Sequence, residues 1–125
     1  MLTAKDEEFF KRAFELAKLG EHRVRVGCLA VNKSTPLCGS FNKIRNITTK
    51  GVEYTAHTYH AEQSVLAMIP YRIVNSSTLY VCRIDGNNDL KPSKPCVNCR
   101  KKINKAGIKE IVYWNRKILK ERIPI

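Results

Sequence analysis

Apolar residues recur at helical spacing in the first part of this chain of 125 residues and at strand spacing further along. Four of them come before a stop at Gly20, and Thr3 with Asp6 forms a capping box ahead of them. They are Phe10, Ala13, Phe14 and Ala17. The pattern predicts an amphipathic first helix that packs one face against a core.

Runs of β-branched and other apolar residues, bounded by turn formers, predict five strands. They cover residues 24–31, 37–41, 78–83, 108–114 and 118–123. The first two form a predicted hairpin around the turn at residues 32–36. The polar stretch 43–56, which holds Gly51, is predicted to be a loop suited to act as a lid or specificity loop beside a pocket.

Two further helices follow from the same reasoning. Residues 58–69 carry apolar side chains on one side and end before Pro70. The next helix begins at Pro95 and Cys96 and stops at Gly107.

The tail of the chain constrains the last strand. Residues 115–125 are all that follow the strand 108–114, whereas a parallel return would need a crossover of roughly a dozen residues or more. The last strand, 118–123, is therefore predicted to fold back antiparallel through a turn at residues 115–117.

A histidine and two cysteines stand at the starts of the last two helices. His60 lies in the first turn of helix 58–69, and Cys96 and Cys99 lie at the start of the next helix. One imidazole and two thiolates suit a catalytic Zn²⁺ ion that keeps its fourth position open for water. Two positive helix ends would offset the negative charge at such a site. These three residues are the predicted zinc ligands.

Glu62 has a predicted role beside this metal. It lies two residues after His60, a rotation of roughly 200° around a helix, so it cannot share the metal-binding face of that histidine. Two thiolates cancel the formal charge of zinc, and the attacking water then needs a neighbouring base. Glu62 is therefore the predicted catalytic residue, which carries protons.

The H-x-E motif at residues 60–62 and the P-C-x-x-C motif at residues 95–99 resemble the zinc-dependent cytidine and deoxycytidylate deaminase superfamily. The resemblance extends roughly from the first helix to the strand at Ile111. It implies one domain over residues 1–125, of class α/β. The implied architecture is a three-layer α/β/α cytidine deaminase-like fold, with a central mixed five-stranded sheet. An antiparallel last strand is similar to that of free-nucleoside cytidine deaminases and of some bacterial toxin deaminases.

The resemblance also implies an activity. The protein would be a zinc-dependent hydrolase that converts cytosine to uracil in a cytidine or deoxycytidine nucleoside or nucleotide, in pyrimidine metabolism. Glu62 would pass a proton from water to the ring nitrogen and later to the departing amine. A deaminase that edits cytosine, with adenine as the weaker alternative, in single-stranded DNA or RNA remains the other hypothesis. Many relatives form homo-oligomers, and the sequence does not choose among assembly states.

Three residues are assigned to the substrate pocket by this resemblance. Asn42 sits where relatives carry an asparagine that contacts the substrate's sugar, and Ala61 and Pro95 lie within the two motifs. The alternative for Asn42 is a turn at the end of a strand, where asparagine is common. The alternative for the metal is a closed structural Cys2His2 site that uses His57, although its spacing from His60 is short for such a site.

Charge and composition refine this picture. Residues 91–125 contain eleven Lys or Arg and two Glu, a net +9, whereas residues 1–90 carry twelve basic and nine acidic residues, a net +3. The basic segment favours an anionic partner, either a nucleotide phosphate or single-stranded nucleic acid. A solvated basic face without a specific partner is the alternative.

The remaining expectations concern thiols and location. Five cysteines without a secretory signal argue against a disulfide framework. Cys28, Cys38 and Cys82 lie in apolar runs and are predicted to be small core residues. No segment is long and apolar enough to span a bilayer, so we expect a cytoplasmic protein with no membrane partner.

Overall fold

The computed structural model describes residues 2–20, 24–41, 43–49, 52–59 and 61–123, and for 43–49, 52–59 and 63–64 it describes the backbone. The helices are α1 (Ala4–Ala17), α2 (Ala61–Met68) and α3 (Val97–Ala106), and a 3₁₀ helix (Tyr71–Ser76) follows α2. The strands are β1 (Arg25–Asn32), β2 (Thr35–Phe41), β3 (Lys43–Thr49), β4 (Val52–Tyr59), β5 (Ser77–Ile84), β6 (Leu90–Lys91), β7 (Glu110–Trp114) and β8 (Ile118–Arg122).

The main sheet has the strand order β2-β1-β5-β7-β8, and the short β6 pairs with β5. β5 and β7 are parallel, and the other neighbours are antiparallel. α3 provides the crossover between the parallel strands, as such a pair requires. The predicted α/β class with a mixed central sheet is confirmed, with six strands instead of five because Leu90 and Lys91 add the short β6.

Helices cover both faces of this sheet, which gives the three predicted layers. Side chains alternate along the central strands, so each strand contributes to two cores. α1 packs on one face, where its phenylalanines and alanines meet Leu29, Tyr80 and Val112. α2 and α3 cover the other face, where Val65 and Ile103 belong to the second core. None of the described helices is long and apolar enough to cross a membrane.

Close packing of α1 on β1 depends on Gly27. A Cβ atom added there would lie 2.1 Å from the carbonyl oxygen of Ala13 and 2.5 Å from the amide nitrogen of Ala17. Any side chain at this position would therefore push the helix off the sheet. The helix is also held at its start by the predicted capping box, in which Thr3 and Asp6 exchange hydrogen bonds.

The predicted ends of α3 and the predicted tail are confirmed. Cys96 is the N-cap of α3, and Gly107 ends it in the left-handed conformation with φ of 90°. β8 pairs antiparallel with β7, from Glu110 opposite Arg122 to Trp114 opposite Ile118.

Two predictions about the middle of the chain are wrong. The stretch predicted as a loop forms the antiparallel pair β3 and β4, which is separate from the main sheet. The predicted start of the second helix, at Thr58, instead belongs to β4, where Thr58 pairs with Ile44 and Tyr59 with Lys43. The prediction of a loop followed from the polar composition of this stretch, although its Thr, Ile, Val and Tyr residues favour strand conformation. Gly51 lies outside the described residues.

Candidate active site

The predicted site lies at the carboxyl ends of the parallel strands. α3 begins after β5, and the amide of Ser93 donates to the carbonyl of Trp114 at 2.8 Å, which holds the approach to α3 beside the end of β7. α2 and α3 pack against each other on the same face of the sheet. Open α/β sheets bind their ligands in the crevice outside these strand ends.

The two predicted cysteine ligands share the start of α3. Cys96 is exposed at the N-cap, and its Sγ accepts a hydrogen bond from the amide of Cys99 at 3.5 Å. Cys99 is fully buried one turn later. The positive end of a helix stabilises thiolates, which are the form that binds a metal. This position therefore suits two thiolate ligands.

Glu62 lies in the first turn of α2 and is only 5% exposed. Among the residues that the structure describes, none donates a hydrogen bond to its carboxylate. The burial of Glu62 beside this helix pair is compatible with its predicted role as the proton carrier.

Cys28 connects Glu62 with the cysteines. Burial raises the pKa of the Cys28 thiol well above its usual value, and the charges of Glu62, Cys38 and Cys99 raise it further. Cys28 on β1 therefore lies within electrostatic reach of the acid on α2 and of a predicted ligand on α3. Cys28 is a core residue, as predicted. Its position near Glu62 and Cys99 could not be inferred from the apolar run that contains it.

Arg100 fixes the first turn of α3 to the edge of the sheet. Its guanidinium forms an ion pair with Glu121 on β8, and Tyr113 Oη donates to the other oxygen of Glu121 at 3.1 Å. The Nη1 atom of Arg100 is buried without a partner among the described residues. Sequence reasoning missed this contact because 21 positions separate the two residues.

The remaining predicted residues divide into two groups. Ala61 is fully buried next to Glu62, and Pro95 is buried directly before the first cysteine. Asn42 and His60 lie outside the described residues. The backbone of His57 lies in β4, opposite Arg45.

A zinc ion fits the chemistry of the donors. Two thiols at one helix start and a histidine directly before α2 are the donor types that Zn²⁺ prefers. Within the part of the chain that the structure describes, no three His, Cys, Asp or Glu side chains form a metal-binding group, and that part does not include His60. Cys96 and Cys99 are thus the two predicted ligands that the described part of the fold brings together.

A family model described as the cytidine and deoxycytidylate deaminase zinc-binding region matches residues 3–115. The match includes both motifs and most of the chain, so the chain belongs to this family. The resemblance seen in the sequence is confirmed. A comparison with curated protein sequences finds no match.

Solved structures share the fold. The cytidine deaminase from Burkholderia pseudomallei matches with a TM-score of 0.66 and 16% identity, over 98% of this chain and 94% of that chain. The cytidine deaminase from Mycobacterium tuberculosis matches with a TM-score of 0.54 and 18% identity, over 91% of this chain and 86% of that chain. RibD from Acinetobacter baumannii matches with a TM-score of 0.53 and 22% identity, over 86% of this chain and 27% of that chain.

Proposed function

We propose that the protein is a zinc-dependent hydrolytic deaminase that converts cytosine to uracil in a cytidine or deoxycytidine nucleoside or nucleotide. The observation that carries this proposal is the buried Glu62 carboxylate, which no described residue satisfies and which lies within electrostatic reach of Cys28 beside the cysteine pair. The family membership of the chain supports the same chemistry.

The proposed roles follow from the donor types. His60, Cys96 and Cys99 would hold the zinc ion, which activates the attacking water when it is bound. Glu62 takes a proton from this water and delivers it to the ring nitrogen beside the amine-bearing carbon. The carbon gains a hydroxyl group, Glu62 transfers the proton of this hydroxyl to the amine, and the carbon–nitrogen bond breaks as the carbonyl forms. Water and cytosine thus give uracil and ammonia.

The substrate pocket is proposed to include Asn42, Ala61 and Pro95. Asn42 follows Phe41, which pairs with Gly27 at the same end of the sheet as the carboxyl end of β5. Because Asn42 directly follows a residue at the site end of the sheet, a contact with the sugar is favoured. Ala61 and Pro95 are buried apolar residues that directly precede Glu62 and Cys96 in the chain, which supports a position close to the ring.

The distribution of basic residues favours a small substrate. Arg116 and Lys117 lie in the β7–β8 turn at the site end, whereas Lys109 and Arg122 lie at the opposite end of these strands. The basic residues on β7 and β8 therefore do not form one continuous row that reaches the site. A nucleotide phosphate would need only the cations at the near end.

The second candidate is a polynucleotide-editing deaminase. It is favoured by the exposed lysines of α3, because Lys101 and Lys105 follow Cys96 on the same helix. A basic helix beside a site is one way to guide a single strand. Cytosine in single-stranded DNA or RNA would then be the substrate.

A side-by-side deamination assay separates these candidates. Purified protein with zinc is offered cytidine, deoxycytidine, their monophosphates and a cytosine-containing single strand, and uracil is measured by mass spectrometry. We expect conversion of a nucleoside or nucleotide, with no conversion by Glu62→Ala. Conversion of the strand alone would reject the small substrate in favour of the editor. Equal activity of the Glu62→Ala variant would reject the mechanism.

A further inference from the structure

A second cavity, with a volume of about 440 Å³, lies at the end of the main sheet opposite to Glu62 and the cysteines. Its lining includes Thr78 near the start of β5 and Glu110 at the start of β7, which pair with each other in the parallel register. The first turn of α1 and the β1–β2 turn complete the lining. The volume lies within the range of small-molecule pockets, about 300–1,000 Å³.

The buried wall of this cavity is a polar network. Tyr80 Oη donates to Asp6 Oδ1 at 2.6 Å, and Lys120 Nζ lies 3.0 Å from Asp6 Oδ2. Lys120 Nζ also lies 3.5 Å from Glu110 Oε1, which accepts from Thr78 Oγ1 at 3.0 Å. Both contacts to Glu110 use the same oxygen, so Oε2 retains its capacity to accept from a ligand hydroxyl.

The rest of the lining is basic. Four lysines and two carboxylates line the cavity, which gives a net charge of +2. Lys120 pairs with both carboxylates. The other three, Lys5, Lys33 and Lys109, are exposed, and no carboxylate among the described residues lies within ion-pair distance of them. Their charges are therefore available to an anion.

The β1–β2 turn brings one of these lysines to the cavity at a conformational cost. Lys33 and Ser34 form the two-residue turn with φ of 47° and 69°, and both line the cavity. Turns with positive φ at both positions favour Asn and Gly, because other side chains are strained there. The turn thus carries a lysine and a serine where Asn and Gly would cost less strain.

We propose that this cavity binds a small phosphate ester that also carries hydroxyl groups, such as a sugar phosphate. The phosphate lies against Lys5, Lys33 and Lys109, since ammonium groups form strong charge-assisted hydrogen bonds to phosphate oxygens. A hydroxyl of the ligand donates to Glu110 Oε2. This proposal does not depend on the deaminase activity, because the cavity lies at the other end of the sheet.

Calorimetric titration of the full chain with ribose 5-phosphate, inorganic phosphate and ribose tests the proposal. We expect ribose 5-phosphate to bind more tightly than inorganic phosphate, and ribose to bind weakest. The double variant Lys33→Asn with Ser34→Gly should raise the Kd by about tenfold or more, the usual effect of losing a hydrogen bond to a charged group. Its Tm should rise because Asn-Gly suits the turn, so weaker binding would not reflect unfolding. The matched control is Lys105→Gln on α3, which should leave the Kd unchanged.

Three results would overturn the proposal. One is no binding of ribose 5-phosphate at millimolar concentration, and another is an equal Kd for the double variant and the wild-type protein. The third is equal binding of inorganic phosphate and ribose 5-phosphate, which would remove the hydroxyl contact. The Glu62→Ala variant should retain binding, since loss of binding there would place the probe in the deaminase site.

Discussion

Asp6 and Glu62 are two buried carboxylates that occupy equivalent places at opposite ends of the sheet. Each lies in the first turn of a helix, and they are 4% and 5% exposed. Asp6 accepts hydrogen bonds from Tyr80, Lys120 and the backbone of Thr3. Glu62 accepts none from the described residues. Two equally buried carboxylates thus differ in the hydrogen bonds that described residues give them, as expected if Asp6 stabilises the fold and Glu62 has the proposed role in catalysis.

The ionisation of the Asp6 cluster supports this distinction. Burial alone would raise the pKa of Asp6, but hydrogen bonds from Tyr80, the backbone of Thr3 and Lys120 outweigh it and lower the pKa below the ordinary 3.8. Burial alone would lower the pKa of Lys120, but contacts with Asp6 and Glu110 raise it above 10.5. Both groups are therefore charged, and their partners offset the cost of burial.

The largest expected effect is on turnover. Glu62→Ala should lower the deamination rate by about 10²–10⁴-fold, the usual contribution of a general acid–base group. Glu7→Ala is the matched control, because Glu7 is an exposed glutamate in the first turn of α1. Steady-state kinetics on the substrate found in the assay above would measure both variants. Equal losses in the two would mean that Glu62 has no special role.

The second expected effect is on stability. Here the substitution of Asp6 should have a larger effect than the substitution of Glu62. Asp6→Ala should lower the free energy of unfolding by about 3 kcal/mol, because it leaves the buried Tyr80 hydroxyl without its acceptor and leaves Lys120 with Glu110 as its remaining carboxylate partner. Glu62→Ala should cost less than about 0.5 kcal/mol or be stabilising, because no described residue donates a hydrogen bond that the substitution would break. Urea denaturation compares the two variants. A larger loss in Glu62→Ala would overturn the comparison.

Glu121 tests whether partners or location decide the role of a carboxylate. It lies on β8 opposite Ile111 and is contacted by Arg100, the residue after Cys99, and by Tyr113. Glu121→Gln should lower the free energy of unfolding by about 1–2 kcal/mol, since Arg100 then lacks its counter-charge. Glu8→Gln breaks an exposed ion pair with Arg12 and should change the free energy of unfolding by less than about 0.5 kcal/mol. Similar losses in the two variants, by urea denaturation, would count against the burial argument.

The smallest expected effect is a dependence of thermal stability on pH. Because folding lowers the pKa of Asp6, its contribution is complete above the unfolded-state value of 3.8 and is lost as the pH falls through the lower folded-state value. The Tm of wild-type protein should therefore fall more steeply below about pH 4 than the Tm of Asp6→Asn. Parallel curves of Tm against pH would show that Asp6 is not stabilised by its partners.

The parts of this protein that can be predicted from sequence are those encoded locally. Cys96, Cys99 and Glu62 lie at the starts of α3 and α2, and Gly107 ends α3 in the left-handed conformation. Only residues 115–117 separate β7 from β8, which is too short for a parallel crossover. Each of these features depends on neighbours in the sequence.

Features that depend on distant residues could not be predicted. The hydrogen bond between Tyr80 and Asp6 joins residues 74 positions apart, and the ion pair of Asp6 with Lys120 joins residues 114 positions apart. Cys28 lies near Glu62 only because β1 and α2 pack together. β3 and β4 were missed because their polar residues outweighed their strand propensity.

The zinc content of two histidine variants tests the central claim most directly. Purified wild-type protein, His60→Ala and His57→Ala are compared by metal analysis after dialysis against zinc-free buffer. The account predicts about one zinc ion per chain in wild-type protein and in His57→Ala, and loss of most zinc in His60→Ala. Retention of zinc by His60→Ala together with its loss from His57→Ala would contradict the proposed ligand set. Loss from both variants would instead indicate the closed structural site with two histidines.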